Sequence, residues 1–468
     1  MSKTSVDYYL LEQERLAQYR QTNPELVEPK RKFSYEEILQ HIGIEVDFGF
    51  LPQGYLNLYP QDFTVEELAL DGSVSTIEPN QTETIPDKPA GQTTLYADLV
   101  KVGFSSIEAV NALAQGLGTE VKNIGYAGIK DKVAITSQKI SLRNFDLEKL
   151  KQFRGEGFFL KNYTWGKGVV GRGAILGNRF TITVRTPVTL GQGWLDQALK
   201  KLEHGFFNFY FLQRFGSPRL LSHKLGKLIL KQDFEGAVKT FLADPGTQDV
   251  GLLNRVREQA NRDFGKWAEL EQAFSLLPYT FRLELILVRY LKKHPTDFRG
   301  ALKQIDDQVT LWVYAYASYL FNKHLSKLIN SQTDLPDELP LLLNPDYKTV
   351  DTYIESLKQD GVIDLEKSVI KIFGHNVLNK KNTSAVIHPA KINEIKIVEG
   401  AVVISFDLPK AAYATTFLTH MFSLFRGLPL PEWLNKEKID SKKILGLGSV
   451  AECEQVLGDY IFTPHLEE

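Results

Sequence analysis

The chain has 468 residues, 43% of them hydrophobic and 24% charged, a globular mix that excludes disorder for most of its length and suggests two to four domains at roughly 100–200 residues each. Its single cysteine, Cys453, excludes an internal disulfide, no CxxC or Cys/His cluster is present for structural zinc, and no run approaches the roughly 18 consecutive apolar residues of a membrane span. The net charge of −2 hides an asymmetry: Val121 to Lys231 carries 20 Lys/Arg against 6 Asp/Glu, whereas His41 to Asp98 holds ten acids and one base, Lys88. A basic block of this kind creates a field that attracts phosphates, while the acidic remainder limits indiscriminate binding. Acids at Asp7, Glu12 and Glu14 and the lack of an apolar stretch argue against a secretory or transit signal, so the expected compartment is the cytoplasm.

In chain order, residues 1–46 read as a helical preface, with a polar helix from Ser5 to Gln21, a charged link and a short helix from Ser34 to Ile42. Gly54 to Leu68 reads as extended, and Gly72 to Gln92, rich in Thr, Pro, Glu and Gly, as a loop. Ser105 followed by Glu108 is a capping box, Ile107, Val110, Ala114 and Leu117 give the helical period, and Gly118 closes the helix. Strands follow at Lys122 to Ala127 and Ala134 to Arg143, the second with Ala134, Thr136, Gln138, Ile140 and Leu142 on one face; the polar turn Gly128-Ile129-Lys130-Asp131-Lys132 joins them. Arg179 to Thr186 alternates as a strand, Leu221 to Asn330 is a succession of helices, and Ile392 to Leu408 is a hairpin turning at Glu399-Gly400. Leu418, Met421, Phe422 and Phe425 predict a last helix over Tyr413 to Arg426, ended by Gly427.

Two motifs invite chemistry. Gly166 to Gly171 matches GxGxxG, but it runs into a strand rather than opening a helix, which disqualifies it as a dinucleotide fingerprint. His324 and His420 lie within apolar stretches and read as packed rather than metal-ligating. The segment Gly125 to Gln138, GYAGIKDKVAITSQ, reads either as a solvated turn or as a turn whose glycines let a substrate approach Asp131.

That segment resembles the signature of the TruD family of RNA pseudouridine synthases, roughly G-x-K-D-x-x-A-x-T-x-Q, with Gly128, Lys130, Asp131, Ala134, Thr136 and Gln138 at its fixed positions. The resemblance continues in order: Pro60 to Glu67 (PQDFTVEE) is similar to P-x-D-F-x-V-E-E, Gly177-Asn178-Arg179-Phe180 to G-N-R-F, and Asn208 to Gly216 (NFYFLQRFG) to N-[YF]-[FY]-G-x-Q-R-F-G. Ser318 to Asn322 (SYLFN) matches a helix of the family's inserted domain, and Leu408-Pro409 with Tyr413-Ala414-Thr415 the C-terminal L-P-x-x-x-[YF]-A-T. Residues 1–46 have no counterpart, and Asn57, Phe211, Ala411 and Ala412 depart from the pattern.

The resemblance implies an α+β protein: a pseudouridine-synthase-type catalytic domain of mixed, largely antiparallel sheet, at 47–234 and 395–468, plus a helix-rich α/β TRUD insertion at 235–394. The implied activity is isomerisation of uridine to pseudouridine in tRNA, typically at uridine 13, with no metal or organic cofactor, by a monomer that binds RNA and no membrane. Asp131 would be the nucleophile, Tyr210 the stacking aromatic, and Asn208, Arg214, Lys130 and Gln138 substrate-binding residues. A carboxylate in a partly dry pocket needs a cation, since at about 4 Å and an effective dielectric near 20 one unit charge is worth about 4 kcal/mol; Arg214 is the candidate. The cleft between the two domains is expected to carry the RNA, with Arg219 to Lys231 on its wall. Two other readings stay open: a non-catalytic RNA-binding member of the fold, suggested by Asn57 and Phe211, and a hydrolase pairing Asp131 with Glu66 or Glu67.

Overall fold

Alternating apolar residues between positions 53 and 185 and between 391 and 425 find their partners in one eleven-stranded sheet. The computed structural model describes residues 5–28, 33–79, 84–246, 250–343, 347–362, 383–427, 429–458 and 461; part of the charged link after the first helix and part of the loop following Gly72 lie outside them. We number the strands of this sheet β1 (Gln53–Leu56), β2 (Phe63–Leu68), β3 (Val74–Ser75), β4 (Thr94–Lys101), β5 (Ile124–Tyr126), β6 (Ile135–Leu142), β7 (Phe158–Gly166), β8 (Gly177–Arg185), β9 (Lys391–Val398), β10 (Ala401–Pro409) and β11 (Ser423–Phe425). Their order is β9-β10-β8-β2-β6-β4-β7, with β1 between β8 and β11, β3 on β2 and β5 on β6. Only β2/β6 and β1/β11 run parallel. The sheet is mixed and largely antiparallel, as expected.

The helix Ser106–Leu117 lies on this sheet because its period presents Val110, Leu113 and Leu117 to Leu95, Leu99, Ile140 and Leu142, all buried. The capping box forms as its residue types require: Ser105 Oγ accepts from the Glu108 amide at 3.2 Å, and the Glu108 carboxylate accepts from the Ser105 amide at 2.7 Å. Gly118 ends the helix in the left-handed region at φ 63°.

The helix expected from Tyr413 to Arg426 is shorter. Only Ala414–Leu418 is helical, and Ser423–Phe425 is β11, registered against β1 at Gln53↔Ser423 and Tyr55↔Phe425. Side chains win the carbonyl that a helix would use: Thr416 O accepts from Thr419 Oγ1 at 2.7 Å and lies 2.9 Å from His420 Nδ1. Leu418, Met421 and Phe422 are all buried, so no polar face is left for a helix, and pairing with β1 satisfies the backbone instead.

The chain divides into two compact units, residues 48–207 with 387–468, which hold this sheet, and residues 1–47 with 208–386. These divisions differ from the expected 46/47, 234/235 and 394/395. Asn208 binds the far end of the insertion, its amide donating to Ala385 O at 3.0 Å and its backbone N to Val386 O at 2.9 Å, which carries 208–234 into the helical unit. Within that unit the helix Ser222–Leu230 packs on the 25-residue helix Asp306–Asn330, at a point where a Cβ on Gly226 would come within 2.0 Å of Trp312 O. The N-terminal helix Ser5–Thr22 docks on the same unit: the buried Glu12 carboxylate accepts from the backbone of Tyr279 and Thr280, and Arg15 donates to Ser275 O and Leu276 O at 2.6 Å.

Candidate active site

The turn between β5 and β6 carries Asp131, and the neighbouring residues form its foundation. Asp131 is exposed, while Lys130 beside it is buried, so the chain turns one charged side chain out and the next one in. The Lys130 ammonium pairs with Glu67 at 2.9 Å and donates to Asn178 Oδ1 at 2.5 Å, joining the turn to β2 and β8. Ser106, at the start of the sheet-covering helix, accepts from the Lys130 amide at 2.9 Å and donates to Gln138 Oε1 at 2.9 Å; Gln138 Nε2 in turn donates to Gly128 O at 3.4 Å. The signature residues Gly128, Lys130 and Gln138 therefore form one hydrogen-bonded brace. Lys130 and Gln138, expected to touch substrate, are instead spent inside the protein, because a tight turn above a buried strand end must satisfy its own polar groups.

Beneath the turn lies a residue that the sequence reading passed over. Lys101, at the end of β4, is fully buried, and its ammonium donates to the Asp131 carbonyl at 2.7 Å and lies 3.5 Å from the Lys130 carbonyl. Burial pushes its pKa down to about 8, opposed first by the charge of Asp131 and then by that of Glu108. Lys101 is thus a cation close enough for its charge and that of Asp131 to act on each other. The only sequence signal was a lysine closing the strand TLYADLVK just after the apolar pair Leu99-Val100. Asp131 itself is exposed.

Glu66 and Glu67 are buried and already engaged. Glu66 accepts from Ile77 N at 2.9 Å and from the Lys442 ammonium at 2.5 Å, and Glu67 is held by Lys130. Burial pushes Glu66 upward and Lys442 opposes it. Neither carboxylate is placed to act with Asp131 on a solvent-accessible bond, which removes the geometric basis of the hydrolase reading. Next to them, Asp62 of the PQDF motif is clasped by Arg185 through two hydrogen bonds of 2.9 and 3.0 Å, fixing β2 against β8. The GxGxxG run starts at the end of β7 and opens no helix; Tyr96 OH and Thr94 Oγ1 hold its Lys167 and Gly168 carbonyls.

In the other unit, Asn208, Tyr210 and Arg214 lie close together. The Asn208 amide holds the strand Thr383–Ala385, and Tyr210 OH donates to Ser384 Oγ at 3.3 Å. Asn322, within SYLFN, brackets the Tyr210 backbone by accepting from its N at 2.9 Å and donating to its O at 2.8 Å. The Arg214 guanidinium sits 5.3 Å from the centre of the Tyr210 ring. His324 packs edge-on to Tyr353, and His420 is buried against Phe48, Phe206 and Phe207. Among the described residues no group of three or more His, Cys, Asp or Glu is arranged to hold a metal ion. At the departures from the family pattern, Asn57 (φ 61°) and Ala411 (φ 68°) take backbone conformations that favour glycine.

The brace gives a direct expectation. Ser106→Ala leaves the Lys130 amide and Gln138 Oε1 without their buried partner, so the fold loses about 1–3 kcal/mol in a denaturant titration and turnover falls about 10-fold as the Asp131 turn loosens.

The description "tRNA pseudouridine synthase D (TruD)" belongs to the family model that matches residues 52–341, more than half of the chain. The chain is 30% identical to the "Probable tRNA pseudouridine synthase D" of Methanopyrus kandleri, over 69% of this chain and 84% of that protein. It is 27% identical to the "tRNA pseudouridine synthase D" of Aquifex aeolicus, over 70% of this chain and 91% of that one. A crystal structure from Methanosarcina mazei bearing the TruD name superposes with a TM-score of 0.63 at 23% identity, covering 82% of this chain and 98% of that chain, and so shares the fold. With the family model and these relatives agreeing along most of its length, the chain belongs to the tRNA pseudouridine synthase D (TruD) family.

Proposed function

We propose that the chain isomerises uridine to pseudouridine in tRNA, at uridine 13, with Asp131 as the nucleophile. The observation that carries this reading is that Asp131 lies exposed on a turn braced through Lys130, Ser106 and Gln138, with a buried ammonium bound to its own carbonyl. A nucleotide swung out of its stack covers the carboxylate and supplies the dryness that the protein alone does not. The carboxylate attacks, the bond from the ribose to N1 of uracil breaks, the base turns while it is held, and a bond forms through C5 as the bond to Asp131 breaks and frees the carboxylate. A proton leaves C5 and N1 regains one, so the product is an isomer. No step calls for a cofactor.

Extracting the base costs a few kcal/mol, and stacking on an aromatic returns about 1–3 kcal/mol; Tyr210 is the proposed ring. Asn208 and Arg214 are proposed RNA contacts, while Lys130, Gln138, Ser106 and Lys101 act by positioning Asp131. The protein is proposed to work as a cytoplasmic monomer; among the described residues no helix is long and apolar enough to cross a membrane. We keep the domain reading of a pseudouridine synthase core with a TRUD insertion as part of this proposal.

The test is sequencing-based mapping of pseudouridine in tRNA incubated with the pure protein; RNA bound without conversion returns the non-catalytic reading. Binding should also weaken steeply with salt, each neutralised phosphate adding about −0.7 to −0.9 to the log–log slope, as the basic block from Val121 to Lys231 requires. A flat response in a filter-binding series between 50 and 200 mM salt, the range over which such contacts show, would count against RNA as the substrate.

A further inference from the structure

Two of the four basic residues from Arg219 to Lys231 are consumed within the helical unit. Arg219 donates to Phe241 O and Asp244 O at 3.0 and 2.7 Å and lies 3.7 Å from Glu284, and Lys227 pairs with Asp360 at 3.1 Å. Lys224 is different. It lines a cavity of about 270 Å³ together with Gln40, His41, His223, Tyr319 and Asp360. That volume is several times the ~30 Å³ share of one water in the liquid.

The walls of the cavity are fixed. His223 stacks on Tyr319 with ring centres 4.8 Å apart and meets Phe215 and His41 edge-on, while Tyr316 OH donates to Asp360 at 2.8 Å. Asp360 is thus bound by Lys227 and Tyr316, and among the described residues no carboxylate lies within ion-pair distance of Lys224. His41 reaches the cavity from the helix Tyr35–His41, outside the family match, and its Nε2 lies 3.2 Å from the Leu220 carbonyl. Leu220 holds φ 54°, a conformation rare for a residue with a β-carbon. Most telling is His223 Nδ1, which is shut off from solvent and has no hydrogen-bond partner among the described residues. The ring that carries this unpartnered buried nitrogen lines a cavity with Lys224, and a bound anion would satisfy both groups once the ring turns toward it.

We infer that this cavity binds a phosphate group, with Lys224 as the counter-charge, His223 as a hydrogen-bond donor and His41 closing the open side. His223 suits that role because burial, reinforced by His41 and the two lysines, pushes its pKa down to about 3, so near pH 7 it is a neutral ring with one N–H to give. Lys227 is neutralised by Asp360, so a single negative charge, as on a phosphodiester or a mononucleotide, is balanced by Lys224. The phosphate comes either from the RNA backbone or from a free nucleotide. The inference is independent of the proposed catalytic role of Asp131.

The experiment uses the full chain, wild type and the variants Lys224→Gln and His223→Phe, the latter keeping a stacked ring on Tyr319 while removing its nitrogens. Each is titrated by calorimetry with inorganic phosphate and AMP, and by filter binding with tRNA, with pseudouridine formation followed in parallel and thermal melts checking the fold. If the site takes an RNA phosphate, both variants bind tRNA about 5–10-fold more weakly, KM rises with kcat unchanged, and the salt slope of Lys224→Gln falls by about 0.7–0.9. If it takes a free nucleotide, wild type binds AMP or phosphate, both variants lose that binding by 10-fold or more, and tRNA affinity does not change. Well-folded variants that alter neither affinity overturn the inference. Absence of pseudouridine formation by wild type overturns the catalytic reading alone, since the binding arms stand without it.

Discussion

Asp131→Asn is expected to abolish pseudouridine formation, by at least about 10⁴-fold, while shifting stability by no more than about 0.5 kcal/mol. The amide matches the carboxylate in shape and keeps one acceptor oxygen, but it is no nucleophile, and neither Glu66 nor Glu67 is placed to replace it, since both are buried on lysines. The stability side follows from exposure. The anchors of the turn run through the Asp131 carbonyl and through Lys130, Ser106 and Gln138, and the substitution changes none of these atoms. Binding of tRNA should persist, because one carboxylate contributes little to a field set by lysines and arginines. The decisive measurement is single-turnover conversion on tRNA at saturating enzyme with a melt of the same preparation; retained turnover removes Asp131 from the chemistry.

How much of this was legible in the sequence depends on the range of the forces involved. Local signals survived: the Ser105/Glu108 capping box, the Gly118 stop and the hairpin at Gly400 all form, because each is decided by atoms within a few residues. The turn bearing Asp131 was located for the same reason, and the resemblance of its motif supplied the chemistry. Long-range decisions were not legible. The segment after Ala414 has a helical stripe, yet β1, some 370 residues earlier, offers backbone pairing that overrides it. Lys130 and Gln138 were assigned to substrate on the resemblance of the motif they belong to. Only the partners of those residues, Glu67, Asn178 and Ser106, show that the polarity serves the turn itself. The division at Phe207/Asn208 likewise rests on distant partners, since Asn208 bonds to Ser384 and Ala385, far along the chain.

Lys101→Met is expected to lower turnover about 10²-fold, and pH distinguishes this effect from a general loss of packing. The ammonium holds the Asp131 and Lys130 carbonyls from below and places a buried positive charge beneath the Asp131 turn; methionine fills the space without donating or carrying charge. Burial lowers the folded pKa to about 8 from an ordinary 10.5, so between those values the unfolded chain binds the extra proton and folding stability rises with pH. The full span is worth about 3 kcal/mol at roughly 1.4 kcal/mol per unit. Below pH 8 the charged lysine is therefore a standing cost to the fold, which Lys101→Met removes while also losing the two carbonyl contacts, so its stability near pH 7 should change little. Activity carries the signature. Wild-type kcat should fall above pH about 8 as Lys101 loses its proton, and this limb should vanish in Lys101→Met, whose residual rate stays level across the same range. An unchanged alkaline limb in the variant would show that another group sets it and that Lys101 serves the fold alone, leaving the Asp131 turn without the electrostatic support argued for it.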